Sequence, residues 1–237
     1  MARDNFCADA ITGTRLVSIE GVKHIIALGI EEAANVATHG FGLLASLALM
    51  PLMVALAMRS ADPGTVIGVT VFCVTLVAVY AASTMYHANL PGPRRQLWRR
   101  VDQAAVFLLI AGTYTPFALG PLRGPLGWTV LAMVWSAALI GASLKLSRRG
   151  MPSRFDNATY LAMGWVVLLI AEPLVARIGW SGMAWLAAGG ITYTIGVGFL
   201  ACQARIRWGH CAWHVFVLAG SACHAIAIVN YGMVGRG

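Results

Sequence analysis

Two histidines, His210 and His214, lie four residues apart at the start of the last long apolar stretch of the chain. On an α-helix this spacing places both imidazoles on one face, about 6 Å apart along the axis, which suits two ligands of one metal ion. An ionisable group at the edge of a membrane span is costly unless it is paired or metal-bound. The spacing alone leaves two interpretations open: a metal site, or interfacial histidines hydrogen-bonded to headgroups or backbone.

The composition places these histidines in a membrane protein. The chain of 237 residues is 59% hydrophobic and 11% charged, whereas soluble domains are usually about 45–50% apolar and about a quarter charged. The net charge of +8 comes from basic residues in short loops, where charge reports membrane orientation, so we expect no nucleic acid partner. Five cysteines, odd in number and irregularly spaced, predict neither a disulfide framework nor a cysteine metal site.

The hydropathy pattern predicts an all-α, polytopic membrane protein with seven transmembrane helices preceded by a short amphipathic helix. Residues 1–37 form the N-terminal region, in which a polar tail precedes an amphipathic helix from Leu16 to about Glu32, and residues 38–237 form the seven-helix domain. Only a Gly-Trp-Ser-Gly turn separates the fifth and sixth spans. The predicted spans are Thr38–Met58, Thr65–Ala88, Val101–Gly120, Leu126–Leu146, Ala158–Ile178, Trp180–Cys202 and His210–Val234.

Basic residues in the loops predict the orientation. If the N-terminus is cytoplasmic, 13 of the 17 Lys and Arg residues lie on the cytoplasmic side. The positive-inside rule then favours a cytoplasmic N-terminus and an external C-terminus. An odd number of spans also requires termini on opposite sides, so the two predictions agree. We therefore expect an integral protein of the plasma (inner) membrane that contacts membrane lipids.

This topology brings polar residues of three helices to one membrane depth. Ser83 and His87 lie in the last turns of the second span, Asp102 in the first turn of the third, and His210 and His214 at the start of the seventh. Three histidines with an open fourth position commonly hold catalytic zinc, and neutral imidazole suits that ion well. The convergence therefore favours the metal interpretation over the interfacial one.

A further polar group lies where the first span begins. Glu32, Asn35 and His39 follow one another at spacings of three and four residues, so they share a helix face at about the same depth. Because acidic residues suit a helix N-terminus, the structural interpretation is the favoured one for this group.

Several sequence motifs occur in order: EEAANVATHG (Glu31–Gly40), STMYHANLP (Ser83–Pro91), RRVDQAAVFLLIAGTYTPF (Arg99–Phe117), YLAMGW (Tyr160–Trp165) and HCAWHVFVLAGSACH (His210–His224). With these motifs, the chain from about residue 31 to the C-terminus resembles the bacterial hemolysin III family. That family belongs to the progestin and adipoQ receptor group of seven-helix proteins.

The resemblance implies a seven-helix bundle with a zinc ion near the cytoplasmic face. Carried over to this sequence, the ligands would be His87, His210 and His214, with Asp102 and Ser83 close by, the same set that the topology brings together. One position departs from the pattern, since Gln103 stands where bacterial members usually have a histidine after the aspartate. If that histidine tunes the aspartate or a proton path, this chain lacks that function.

Three functional hypotheses follow. The leading one, by analogy with ceramidase-like relatives, is a zinc-dependent hydrolase of a lipid amide or ester, in which Asp102 accepts a proton from water and Ser83 hydrogen-bonds the oxyanion or orients the water. The second is a non-enzymatic receptor or sensor in which zinc is structural, and the third is cytolysis, as the family name suggests. The same three histidines serve a catalytic or a structural ion, so the sequence leaves enzyme and receptor open, and it carries no signal for the oligomeric state.

Overall fold

In the computed structural model, every regular element of the described residues is helical. The structure describes residues 19–147 and 153–233, and within them the side chains of 29–147 and 157–233. The all-α prediction is confirmed for this part of the chain. The helices are α1 (Ile19–Met58), α2 (Pro63–Ala88), α3 (Pro93–Leu119), α4 (Pro125–Leu146), α5 (Ser153–Gly164), α6 (Ala171–Cys202) and α7 (Gly209–Ala227), with a 3-10 segment (Trp165–Ile170) before α6 and a π-helical turn (Ile228–Gly232) after α7.

Six helical stretches among the described residues are long and apolar enough to cross a membrane. Five correspond to the predicted first four spans and the seventh, while Asn157–Cys202, with 46 residues, contains the predicted fifth and sixth. A continuous helix of that length would extend about 69 Å, more than twice the ~30 Å of bilayer hydrocarbon. The stretch is interrupted at Gly179, whose φ of 68° and ψ of 173° are not helical. The membrane-protein prediction is thus supported, and the count of seven stays a prediction.

The first helix is continuous where the sequence predicted two elements. α1 runs for 40 residues from Ile19 to Met58, and its membrane-spanning part is Gly29–Met58. A separate amphipathic helix from Leu16 to Glu32 therefore stays a prediction. The predicted tail, residues 1–14, and the side chains of residues 19–28 lie outside what the structure describes.

Helix packing brings four segments to one end of the bundle. α2 packs against α1 and α3, and α7 packs against α1 and α6. α2 and α3 approach closely at Gly68, where a Cβ atom would lie 2.7 Å from the Cα of Pro116. The C-terminus of α2, the N-termini of α3 and α7, and the part of α1 near Glu32 meet at what we call the histidine end.

The helical chain between α5 and α6 is held by a side chain from α3. The Tyr114 hydroxyl lies 3.0 Å from the carbonyl oxygen of Met163 and 2.7 Å from that of Gly164, and it accepts a hydrogen bond of 2.9 Å from the Val167 amide. In a membrane, backbone groups freed from an α-helix need partners within the protein. Tyr114 supplies them where the 3-10 segment Trp165–Ile170 replaces α-helix.

Candidate metal centre

Three histidines from two helices form a compact group at the histidine end. His87 lies in the last turn of α2, and His210 and His214 lie in the first turns of α7. One ring nitrogen of each lies within 4.8 Å of those of the other two. His87 and His214 are buried, and His210 is half-buried. The structure thus brings together the three side chains that the sequence predicted as metal ligands.

Two of the histidines donate a hydrogen bond from Nδ1, the ring nitrogen that faces away from the other histidines. The Nδ1 atom of His87 lies 2.7 Å from the Glu32 carboxylate, which has no hydrogen to offer when ionised. The Nδ1 atom of His210 lies 2.6 Å from the side-chain carbonyl oxygen of Gln203. Both contacts require Nδ1–H as the donor, so the neutral form of each ring leaves its Nε2 atom unprotonated.

The third histidine is oriented in the same way from α1. The Nδ1 atom of His214 lies 3.2 Å from the Thr38 hydroxyl oxygen. That hydroxyl points its own hydrogen at the carbonyl oxygens of Ala34 and Asn35, at 2.9 Å and 3.0 Å. The Thr38 oxygen therefore accepts from Nδ1–H of His214, and Nε2 of this ring also carries a free lone pair.

The inner nitrogens of His87 and His210 face each other directly. Their Nε2 atoms are 3.1 Å apart. Two lone pairs at that separation repel each other unless a cation, either a proton or a metal ion, lies beside both. With the Nε2 atom of His214 as a third donor, the group offers the set of neutral imidazoles that metal ions such as zinc accept. Partners on each outer nitrogen are the usual support of such ligands.

Asp102 and Ser83 lie next to each other and outside the group of three histidines. Asp102 is in the third turn of α3, and its carboxyl lies next to the Ser83 hydroxyl. Ser83 is buried, one helical turn before His87, and its hydroxyl oxygen has no hydrogen-bond partner among the described residues. Ser83 therefore connects Asp102 to the helix that carries His87, and neither side chain belongs to the ligand group.

The predicted group at the start of the first span also reaches the centre. Glu32 bonds His87 on one side and the Arg95 guanidinium on the other. His39 stacks on His214, with ring centroids 3.6 Å apart and planes at 15°. Within the described part of the chain, the buried Oδ1 atom of Asn35 and both ring nitrogens of His39 have no hydrogen-bond partner. Glu32 therefore contacts a candidate metal ligand in addition to its position near the start of the first span.

Three contributing residues were not predicted. Thr38 orients His214, Gln203 orients His210, and Arg95 shares the carboxylate of Glu32. Thr38 follows Glu32 and Asn35 at helical spacing in the sequence, a signal that could have identified it. Gln203 lies in the turn before α7, where no periodicity indicates its direction.

The remaining candidates lie apart from the centre. Cys211 is half-buried and is not in the ligand group. The Nε2 atom of His224, in the later part of α7, lies 3.3 Å from the carbonyl oxygen of Leu186. The backbone oxygen of Gln103 accepts a 2.9 Å hydrogen bond from the Tyr160 hydroxyl.

Comparison with known proteins gives relatives that match most of the chain. The profile of the family described as "Haemolysin-III related" matches residues 29–225. A "Hemolysin-3 homolog" of Bacillus subtilis (strain 168) is 36% identical over 201 residues, covering 85% of this chain and 94% of that protein. "Hemolysin-3" of Bacillus cereus is 35% identical, covering 85% and 91%, and the human "Monocyte to macrophage differentiation factor" is 27% identical, covering 85% and 84%. No solved structure is significantly similar to the chain.

Proposed function

The chain belongs to the haemolysin-III related family, and from this premise we propose that it is an integral membrane hydrolase with a zinc ion held by His87, His210 and His214. Its substrate is a membrane lipid with an amide or ester bond. The observation that supports the proposal best is the set of three Nε2 lone pairs, each left free because Nδ1 is bonded elsewhere. The number of ligands leaves a coordination position open for chemistry.

The residues around the ligands fit hydrolysis. Bound zinc would supply Lewis acidity and make water a stronger nucleophile at neutral pH. The Asp102 carboxylate takes a proton from the attacking water and returns it to the leaving alcohol or amine, while the hydroxyl of the water joins the acyl carbon. The Ser83 hydroxyl, which lies next to the Asp102 carboxyl, donates a hydrogen bond to the oxygen that becomes negative.

An apolar cavity inside the helical bundle would hold the lipid chain. It has a volume of about 150 Å³ and is lined almost entirely by apolar side chains. Its lining includes Trp213, the neighbour of His214, and Val106, one helical turn beyond Asp102. A dry apolar space of this size accepts hydrocarbon rather than water. The lipid would therefore place its acyl chain in the cavity and its reacting bond at the histidine end.

The topology of this proposal is seven spans with a cytoplasmic N-terminus and an external C-terminus. The non-helical backbone at Gly179 supports counting Asn157–Cys202 as two spans. With seven spans, the histidine end lies on the cytoplasmic side, where the positive-inside rule also puts most basic residues. Residues 38–237 then form the transmembrane domain, and residues 1–37 its cytoplasmic and interfacial extension.

The hydrolase is tested with purified, zinc-loaded protein and a panel of ceramides, acyl amides and lysolipids. We expect release of fatty acid from at least one class, and a loss of about 100-fold or more in rate for Asp102→Ala, because general acid–base catalysis contributes about that much. If every lipid stays uncut and Asp102→Ala behaves like the wild type, the proposal is wrong.

The second candidate is a receptor or sensor in which the metal ion is a structural clamp. The observation that favours it is that the histidines and their partners join α1, α2 and α7, through Glu32, Thr38 and the ligands themselves. A clamp predicts that metal removal lowers the melting temperature while no lipid is ever cut. An unchanged melting temperature in the metal-free protein would exclude this role.

Cytolysis is the third candidate, and it comes only from the names of the Bacillus relatives. Long apolar helices suit a protein that stays in the membrane of the cell that makes it. We expect purified, detergent-free protein to leave erythrocytes intact. Lysis that a point substitution abolishes would establish the cytolytic function instead.

A further inference from the structure

Two arginines continue the line of Asp102 outward along one face of α3. Arg95, Arg99 and Asp102 lie at spacings of four and three residues, so they stack on the same side of the helix. Arg95 is fixed in place: it bonds Glu32, lies 3.3 Å from the carbonyl oxygen of Asn89, and covers the Tyr86 ring at 5.0 Å. Through Arg95 and Glu32, this face of α3 is connected to His87.

The same end of the bundle receives arginines from the turn before α7. Gln203, which orients His210, begins that turn, and Arg205 and Arg207 follow within it. Arg95 reaches the His87–His210 pair through Glu32. Gln203 bonds His210 from the other side, so α3 and the turn before α7 border the same group of histidines. We call Arg99, Arg205 and Arg207 the arginine rim.

The arginine rim carries positive charge that the described residues do not neutralise. All three side chains belong to exposed residues, and none forms an ion pair with a described carboxylate. The carboxylate of Glu32 at the histidine end is already shared by Arg95 and His87. Exposed guanidinium groups beside a membrane centre attract an anion, and their planar donor pattern matches phosphate oxygens.

We propose that the arginine rim binds the phosphate headgroup of an anionic membrane phospholipid, which makes such a lipid the substrate of the adjoining centre. The claim that this lipid is the substrate rests on the proposed hydrolase function. The claim that the rim binds the headgroup is independent of it. A neutral sphingolipid would leave the rim without a partner. The lipid would lie with its phosphate at Arg99 and its acyl linkage one helical turn further in, beside Asp102.

Lipid binding is measured by native mass spectrometry of the detergent-purified full chain, with phosphatidylglycerol and phosphatidylcholine of identical acyl chains in competition. We expect the wild type to retain phosphatidylglycerol at least about tenfold better than phosphatidylcholine, since each arginine near an anionic headgroup is worth roughly fivefold. The triple variant Arg99→Gln, Arg205→Gln, Arg207→Gln should bind both lipids about equally. Arg99→Gln alone, which is milder, should lose part of the preference.

Arg59→Gln is the matched control. Arg59 is also exposed, but it follows α1 at the end opposite to Glu32, about 40 Å away along the helix. The preference should survive this change. Equal binding of the two lipids by the wild type, an unchanged preference in the well-folded triple variant, or loss of the preference in Arg59→Gln would each overturn the proposal.

Two further experiments distinguish a lipid headgroup from a soluble phosphate, and headgroup binding from hydrolysis. Glycerol 3-phosphate should not displace the lipid, and displacement at millimolar concentration would show a site for soluble phosphates and overturn the lipid assignment. Phosphatidylglycerol that binds through the rim but is never cut would support the headgroup site and refute the hydrolase. Cleavage of neutral lipids by the wild type and the triple variant at equal rates would support the hydrolase and refute the anionic substrate.

Discussion

The Glu32 carboxylate illustrates how one residue can orient a candidate metal ligand. It accepts a hydrogen bond from Nδ1 of His87 at 2.7 Å and is held from outside by Arg95. The Arg95 contact fixes the carboxylate, and the carboxylate fixes the tautomer and direction of the imidazole. Such partners of metal ligands contribute to affinity although they do not touch the ion.

We expect Glu32→Gln to weaken metal binding about 10- to 100-fold, the usual effect of losing a partner of a metal-ligating histidine. Glutamine keeps the shape and can still accept from Nδ1, but it loses the charge that both His87 and Arg95 use. Competition with a chelator of known affinity measures the change. Glu31→Gln, which removes the neighbouring charge without touching His87, is the control, and equal affinities for the two variants would contradict the assigned role.

At this scale the sequence predicts the ligands but not all of their partners. His87, His210 and His214 could be identified because their spacing and the span topology put them at one depth. Glu32 was interpreted as a helix-start residue because acidic side chains are common there, and only tertiary packing shows that it faces His87. Gln203 lies in an irregular turn, so no period indicates that it reaches His210.

Among the elements, the 3-10 segment Trp165–Ile170 is the least regular part of the membrane-spanning structure. Its backbone depends on a hydroxyl from α3, because Tyr114 contacts the carbonyl oxygens of Met163 and Gly164 and the amide of Val167. No proline marks this segment in the sequence, so the prediction of a uniform fifth span could not include it. Here the Tyr114 hydroxyl replaces hydrogen bonds that the backbone would make within an α-helix, and this replacement can be recognised only once the packing of α3 is known.

We therefore expect Tyr114→Phe to lower the melting temperature in detergent. The substitution keeps the ring and removes the hydroxyl, and a buried backbone group left without a partner costs about 1–3 kcal/mol. Tyr231→Phe is the matched control, because the hydroxyl of Tyr231 makes no hydrogen bond to any residue that the structure describes. A smaller effect at Tyr114 than at Tyr231 would show that the segment does not need the hydroxyl.

The turn between α1 and α2 is fixed by Asp62 in two ways. Its carboxylate accepts a 2.8 Å hydrogen bond from the Thr65 amide, which caps α2, and it pairs with Arg123 from the turn before α4. The Arg123 guanidinium, more than hydrogen bonding to Thr65, lowers the pKa of this carboxyl from its ordinary 3.8 to about 2. A lowered pKa means that the charged form stabilises the fold above pH 3.8 and that this contribution is lost as the pH falls toward 2.

Two substitutions separate the cap from the ion pair. Asn caps helices as well as Asp, so Asp62→Asn loses only the partly exposed ion pair and costs less than about 1 kcal/mol. Asp62→Ala also loses the cap and should cost about 1 kcal/mol more. Melting temperatures at pH 7 and at pH 5 should give the same difference between Asp62→Asn and wild type. A difference that vanishes between those two values would contradict the lowered pKa.

At the scale of the whole molecule, the polar side chains of different helices gather at one end of an apolar bundle. This end holds the group of three histidines, and it also holds Glu32, Ser83 and Asp102. The sequence predicts this distribution, because alternating span directions place distant residues on one side of the membrane. It does not predict that α1 reaches the histidines through Glu32 and Thr38, because only packing turns these side chains inward.

A metal ion shared by α2 and α7 should also stabilise the bundle as a whole. A ligand that binds only the folded state adds roughly 2.7 kcal/mol at 100 times its dissociation constant. We therefore expect chelation to lower the melting temperature of the wild type and to leave that of His87→Ala unchanged. An equal loss in both proteins would mean that the chelator acts elsewhere than at the three histidines.

The measurement that tests the central claim most directly is the metal content of detergent-purified protein by inductively coupled plasma mass spectrometry. Wild type, His210→Ala and Asp102→Ala are compared after identical purification without chelators. A centre formed by three imidazoles predicts about one zinc ion per chain in the wild type and in Asp102→Ala, and almost none in His210→Ala. A wild type without a stoichiometric metal ion, or a His210→Ala variant that keeps it, would contradict the claim.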